Sequence, residues 1–266
     1  MSNFYYKLKD TFFSYKYWSL VQIIVTKTLD QEYGSSYLGK LWLIIRPFIL
    51  ILVLGTVLSK ITRFPETENY IFFLTTNLVL WLFISSVMTA TSVSILSRGG
   101  ILKLCPIPKS VFIMVDIIKF SKIYLLSLVA LYIVVGFITD VDFYLTALLF
   151  PIYFFILLFI LLFIGIILDY ITPYIRDVKT LIEAFMPAFM WLTPIMYPIS
   201  AMDGTIGEVL KFSPFSVMMA PFTKILYYGE YPSAYDHASL LILFLSTLAL
   251  ALISHKKFSK NVIYYT

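Results

Sequence analysis

From Phe143 to Leu168 the sequence contains no charged residue, a run long enough to cross the roughly 30 Å hydrocarbon core of a bilayer as one helix. Such a run excludes an ordinary soluble domain, and it is not alone. Apolar stretches of similar kind cover about Leu41–Ile61, Tyr70–Leu96, Val111–Ile138, Thr180–Ser200 and Ala238–Ser254. Charged residues make up 13% of the chain, against about 25% in soluble proteins, and mean hydropathy is +0.90. The expected fold is therefore an all-α integral membrane protein with six transmembrane helices. Once about 20 residues are set aside for each crossing, no second soluble domain fits.

Before the first span, residues 1–40 read as a cytoplasmic segment. The opening FYYKLKD lacks the apolar core of a cleavable signal. From Thr11 to Asp30 the spacing turns helical: Tyr17, Leu20, Val21, Ile24 and Val25 share one face, opposite mostly polar residues. This predicts an amphipathic helix lying in the membrane interface, with Trp18 and tyrosines at headgroup depth. Residues 41–266 form the membrane domain. Between the fifth and sixth spans, about 203–235, two amphipathic runs (Ile206–Phe212 and Val217–Tyr227) are each too short to cross; they are expected to re-enter the outer leaflet as short helices.

Charge placement sets the orientation. With a cytoplasmic N-terminus, thirteen Lys and Arg fall in inner segments, while the outer segments hold four, Lys60, Arg63, Lys211 and Lys224. The bias puts both termini in the cytoplasm. The positive charge is dispersed along the chain, which points to anionic lipid and away from nucleic acid. Asp116, Lys119 and Lys122 near the start of the third span are expected to pair at i, i+3 or to snorkel. Arg46 and Glu183, each about a turn inside the cytoplasmic end of a span, are expected to pair with one another.

Chemistry is scarce. Cys105 is the sole cysteine, and His237 and His255 sit at opposite ends of the last span, so neither a metal cluster nor a His-based nucleophile is expected. The string GSSYLGKL, Gly34–Leu41, matches a phosphate loop up to Lys40. It then puts Leu41 where a magnesium-ligating Ser or Thr belongs, and it precedes a membrane span instead of following a strand. No catalytic site is expected in this chain. A secondary transporter or channel would show paired broken helices; only the segment ending TPIMYPIS is strongly proline-broken. A membrane-embedded transferase would need clustered acids or histidines on one side of the bilayer, and the acids expected on the outer side are scattered.

SSYLGKLWLIIRP (Ser35–Pro47), YIRDVKTLIEAFMPAFMWLTPIMYPIS (Tyr174–Ser200) and KFSPF (Lys211–Phe215) carry a resemblance. Together they resemble the permease subunit of ABC-2-type polysaccharide exporters, nearest those for lipid-linked O-antigen, with teichoic-acid and capsule exporters next. Its specific marks are Leu38-Gly39-x-x-Trp42, the pair Arg176-Asp177 and Thr193-Pro194-Ile195; Ser213-Pro214 stands where the family often has Asn-Pro.

The resemblance implies a homodimer in the bacterial inner membrane, working with two copies of a separate ABC ATPase that binds ATP and magnesium; this chain would bind no cofactor. It implies that Tyr37, Leu38, Gly39, Trp42 and Arg46 form the cytoplasmic gate, and that Glu183, Phe185, Phe189, Trp191 and Tyr197 line the channel. Coupling to the ATPase would fall to the N-terminal helix, to Arg98, Lys103, Pro106 and Pro108, and to Arg176 and Asp177. The cargo implied is an undecaprenyl-diphosphate-linked glycan.

Overall fold

A computed structural model describes residues 15–61, 69–98, 100, 107–138, 144–202 and 204–258, and all of its regular elements are helical. In chain order they are α1 (Tyr15–Tyr33), α2 (Trp42–Ile61), α3 (Tyr70–Thr91), α4 (Ser94–Ser97), α5 (Ser110–Ile138), α6 (Phe150–Ile171), α7 (Asp177–Leu192), α8 (Gly204–Lys211), α9 (Pro214–Thr223) and α10 (Ala234–Phe258). Short 3₁₀ turns, Gly39–Leu41 and Leu145–Leu149, lead into α2 and α6.

Among the described residues, five helices are long and apolar enough to cross a membrane: α2, α3, α5, α6 and α10, with α2 and α6 extended by their 3₁₀ turns. The expected Thr180–Ser200 crossing takes a different form. Its helix, α7, has 16 residues and is about 24 Å long at 1.5 Å per residue. Backbone from Thr193 onward is irregular: Thr193 is extended, and the Ile195 N–H turns back to the Thr193 carbonyl at 2.7 Å. The cause lies in the sequence. Pro187 has no N–H for the Glu183 carbonyl, and Pro194 and Pro198 follow where helix would have to continue.

The bundle has two distinguishable ends. At one end Tyr174 Oη donates to the Phe258 carbonyl (3.1 Å), and the start of α1 lies against the start of α5. At the opposite end Tyr70 Oη donates to the Met196 carbonyl (2.8 Å), and Thr146 Oγ1 to the Ile225 carbonyl (2.9 Å). The chain from Tyr174 to Met196 thus runs from one end of the bundle to the other, although α7 itself covers only part of the way.

Helix α3 occupies the centre and is buried almost all round, against α2, α5, α6, α7 and α9. Its polar residues are satisfied within the helix: Thr75, Thr76 and Asn77, each at most 1% exposed, donate to carbonyls four residues back. That arrangement lets a helix carry hydroxyls and an amide through an apolar interior. Two of them also reach across to neighbours. Thr76 shares a 2.8 Å hydrogen bond with Tyr132 on α5, and Asn77 Oδ1 accepts from Thr223 on α9 at 2.6 Å. Gly165 on α6 permits close approach, since a Cβ there would lie 3.1 Å from Thr91 and from Ile113.

The predicted amphipathic helix is present as α1, and its apolar stripe is covered by protein. Val21 and Val25 are fully buried against Val111, Met114 and Val115 of α5, with Tyr17, Leu20 and Ile24 alongside. Lys119 and Lys122, expected to pair locally or snorkel, instead reach back to α1: Lys119 to Glu32 and Lys122 to Gln22, each at 2.6 Å.

The two short runs before the last crossing form α8 and α9, followed by a π-helical turn, Lys224–Tyr228. Ser213 caps α9, accepting from the Ser216 N–H at 3.1 Å, and Pro214 takes the first helical position, where its missing N–H is harmless. Serine and asparagine are comparable N-caps, so Ser-Pro in place of Asn-Pro leaves this corner intact.

Candidate functional site

Residues 33–46 make a compact corner at the foot of α2. Gly39 sits in left-handed conformation, φ 51°, which lets the turn enter the 3₁₀ helix directly. Trp42 Nε1 donates to Ser36 Oγ at 3.0 Å, closing the corner. The Arg46 guanidinium lies over the rings of Tyr33 (5.9 Å) and Trp42 (6.0 Å), a cation–π seat worth about 0.5–1 kcal/mol where partly exposed. Burial lifts the Tyr33 phenol above its usual range, against the opposing pull of Arg46. Tyr37 is fully exposed at the tip, with Leu38 and Leu41 also on the surface. Gly39→Ala should place a side chain in a conformation that costs about 1–2 kcal/mol. The variant is expected to unfold at a lower temperature than wild type in detergent, with membrane abundance, read by immunoblot, unchanged.

Along α7 only Met186 is buried, and packing comes from α3, with Phe215 of α9 against Phe189. Leu181, Phe185, Trp191 and Leu192 are each more than half exposed. Phe189 is partly covered, 5.2 Å from Phe215 and 6.0 Å from Phe185. Tyr197 is half-buried, its hydroxyl on the Trp191 carbonyl at 3.1 Å. Glu183 is exposed and pairs with Lys179 at 3.8 Å. The expected Arg46–Glu183 pair is thus replaced: each residue has a partner close by, and α2 and α7 lie against α3.

The third group is at the end of the bundle near α1. Arg98 and Pro108 are described; Lys103 and Pro106 lie outside the described residues. Arg176 and Asp177 are exposed at the start of α7, with Asp177 in its first turn, where the helix dipole favours an acid. Arg98 points inward. Its guanidinium forks onto Asp116 of α5, Nη2 to Oδ1 at 2.6 Å and Nη1 to Oδ2 at 2.8 Å, and Nη1 also donates to Ser94 Oγ at 2.6 Å. Ser94 Oγ completes the triangle, 2.6 Å from Asp116 Oδ2. Burial alone would disfavour the charge on Arg98, but Asp116, with Asp169 and Glu32 further off, raises its pKa above the ordinary value. Asp169 of α6, 1% exposed, accepts the Ile95 N–H at 2.7 Å. The turn is therefore fastened to two crossing helices at once.

Sequence reasoning missed Asp169, Ser94 and Glu32. The apolar run was expected to end at Leu168, and the acid one residue later lies inside α6. An isolated acid at the edge of a membrane-length run was the available signal. The histidines tie α10 to α6, His237 with Tyr153 (2.9 Å) and His255 with Tyr170 (3.2 Å).

The sequence profile described as ABC-2 type transporter matches residues 19–227, from the second turn of α1 to the π-helical turn. The chain belongs to the ABC-2 type transporter family. It is similar to the O-antigen export system permease protein RfbA of Myxococcus xanthus, 25% identical over 222 residues, covering 83% of this chain and 85% of the relative. Two Klebsiella pneumoniae proteins of the same name are 30% identical over 92 residues, 35% of this chain and of each relative. As an ABC-2 permease the chain is a multi-pass membrane transport subunit, and its family implies an ABC ATPase partner. The exposed aromatic face of α7 and the corner at Gly39 both lie within the matched region.

Proposed function

We propose that this chain is the membrane subunit of an ATP-driven exporter that moves undecaprenyl-diphosphate-linked O-antigen polysaccharide from the cytoplasmic to the periplasmic side of the bacterial inner membrane. The observation that carries this reading is the match along most of both chains to a protein named as an O-antigen export permease. Two copies of the chain flank the path, with α2 and α7 of each facing it, and two ATPase subunits bind ATP and magnesium below. The segment from Tyr174 to Met196 serves as the sixth crossing, which keeps both termini cytoplasmic and leaves α1 at the inner interface. The helices α8 and α9 sit in the outer leaflet over the exit.

Each residue group has a task in that scheme. The corner at Tyr37, Leu38, Gly39 and Trp42 gates the cytoplasmic mouth, where Arg46 offers a fork of donors to the diphosphate. Phe185, Phe189, Trp191 and Tyr197 present flat apolar faces to sugar rings without selecting one hydroxyl pattern, while Glu183 keeps the path wet. Arg176, Asp177 and the segment from Arg98 through Lys103, Pro106 and Pro108 meet the ATPase. The irregular backbone after α7 supports this placement, because at membrane depth such backbone survives only against protein or water.

The test is reconstitution of the chain with its ATPase in vesicles loaded with lipid-linked glycan. Trp42→Ala and Trp191→Ala are expected to slow ATP-dependent transport several-fold while leaving complex assembly intact. Unchanged transport in both variants would remove the aromatic path, and a wild-type complex that moves no lipid-linked glycan would remove the cargo.

A further inference from the structure

The two acids that fasten the Ser94–Arg98 turn are unequally used. Asp116 takes three donors, from Ser94 Oγ and from both Nη atoms of Arg98. Asp169 takes one: Oδ1 accepts the Ile95 N–H, while Oδ2 has no hydrogen-bond partner although the residue is 1% exposed. A dry carboxyl oxygen without a donor is costly, and in a folded protein it calls for a reason. A cation stands on the same turn: Arg98 is three residues after Ile95, whose N–H already holds the other oxygen of Asp169.

We propose that Asp169 Oδ2 is a second seat for the Arg98 guanidinium, so that the turn rocks between Asp116 on α5 and Asp169 on α6 during the transport cycle. In the arrangement described here Arg98 rests on Asp116. Moving to Asp169 exchanges one buried pair for another, and Ser94 Oγ remains on Asp116 as a placeholder donor. Positions between the seats leave Asp116 with Ser94 Oγ alone and Asp169 with the Ile95 N–H alone, two buried carboxyl groups without the guanidinium, which disfavours them and makes the turn bistable. Because α4 leads into the segment expected to meet the ATPase, a push from that side would be delivered to α5 or to α6 according to the seat occupied. Arg98 and Asp169 are then positioning residues; neither touches cargo.

This inference rests on the exporter reading, and its experiment separates the two. Asp169→Asn keeps an acceptor for Ile95 N–H and removes the carboxyl oxygen that the second seat requires. In reconstituted full complexes, ATP hydrolysis is expected to stay within about twofold of wild type while glycan moved per ATP falls about tenfold, the scale of a typical coupling energy; Asp169→Glu should recover part of the loss. Wild-type transport per ATP in the Asn variant would overturn the proposal. A second readout needs no variant: the isotope-edited infrared carboxyl band of Asp169 should shift when the wild-type complex is trapped with a non-hydrolysable nucleotide. A band that does not move overturns the two-seat idea even if the Asn variant fails to assemble. Failure of the wild-type complex to move lipid-linked glycan, with the band still shifting, would instead strike the cargo assignment alone.

Discussion

Replacing Arg98 with alanine is expected to destabilise the protein by about 3–5 kcal/mol, the scale for stranding one member of a buried ion pair. The Asp116 side chain is 4% exposed and loses both fork bonds, leaving only Ser94; the Arg98 side chain is 20% exposed. That difference fixes an order among variants. Asp116→Ala should be milder than Arg98→Ala, because the guanidinium can turn toward water while the carboxylate cannot. Arg98→Ala with Asp116→Ala should regain much of the loss, since no charge is then stranded at that seat. Thermal unfolding in detergent and membrane abundance would measure this; equal effects for the two single variants would show the pair to be solvent-screened.

Asp236→Ala is expected to loosen the opposite end by about 3 kcal/mol, from loss of several hydrogen bonds to a charged acceptor worth about 1.5–3 kcal/mol each, discounted for partial exposure. Asp236 Oδ2 accepts from Lys224 Nζ, Ser233 N and Ser233 Oγ, all at 2.6 Å. Ser233 Oγ in turn accepts the Asp236 N–H at 3.3 Å, a reciprocal cap on α10. One carboxylate thus starts α10 and ties it to the π-helical turn after α9. Hydrogen exchange is expected to rise across residues 224–240 and to stay unchanged in α3 and α5. Uniform loss of protection would mean that α9 and the start of α10 do not open separately, and Asp236→Asn should lie between wild type and Asp236→Ala.

Much of this architecture was legible in hydropathy. The runs at 41–61, 70–96, 111–138, 143–168 and 238–254 all became helices, because burial in an apolar medium is dictated by composition over about 20 residues. What hydropathy could not show was where a run breaks or what a charge within it meets. The second run stops as helix at Thr91 and restarts at Ser94, making the turn that carries Arg98. Lys119 was judged by its neighbours at i, i+3, yet its partner Glu32 is 87 positions away in sequence. Local spacing ranks local pairs, and tertiary packing chooses among distant ones. The residues proposed for the gate were picked out through a motif; in the structure Gly39 and Trp42 have physical roles, a left-handed turn and a closing hydrogen bond. Arg46 and Glu183 were expected at a similar depth, but with α2 and α7 each lying on α3, each finds a partner of its own.

Helix α7 is tethered beyond both of its ends to different neighbours, Tyr174 to Phe258 below and Met196 to Tyr70 above, and rests on one flank between. It is strung like a bow. Sideways flexing of its middle would alter the width beside it without breaking either knot, and Pro187, which removes a rung of the helical ladder at that midpoint, marks where the bend is softest.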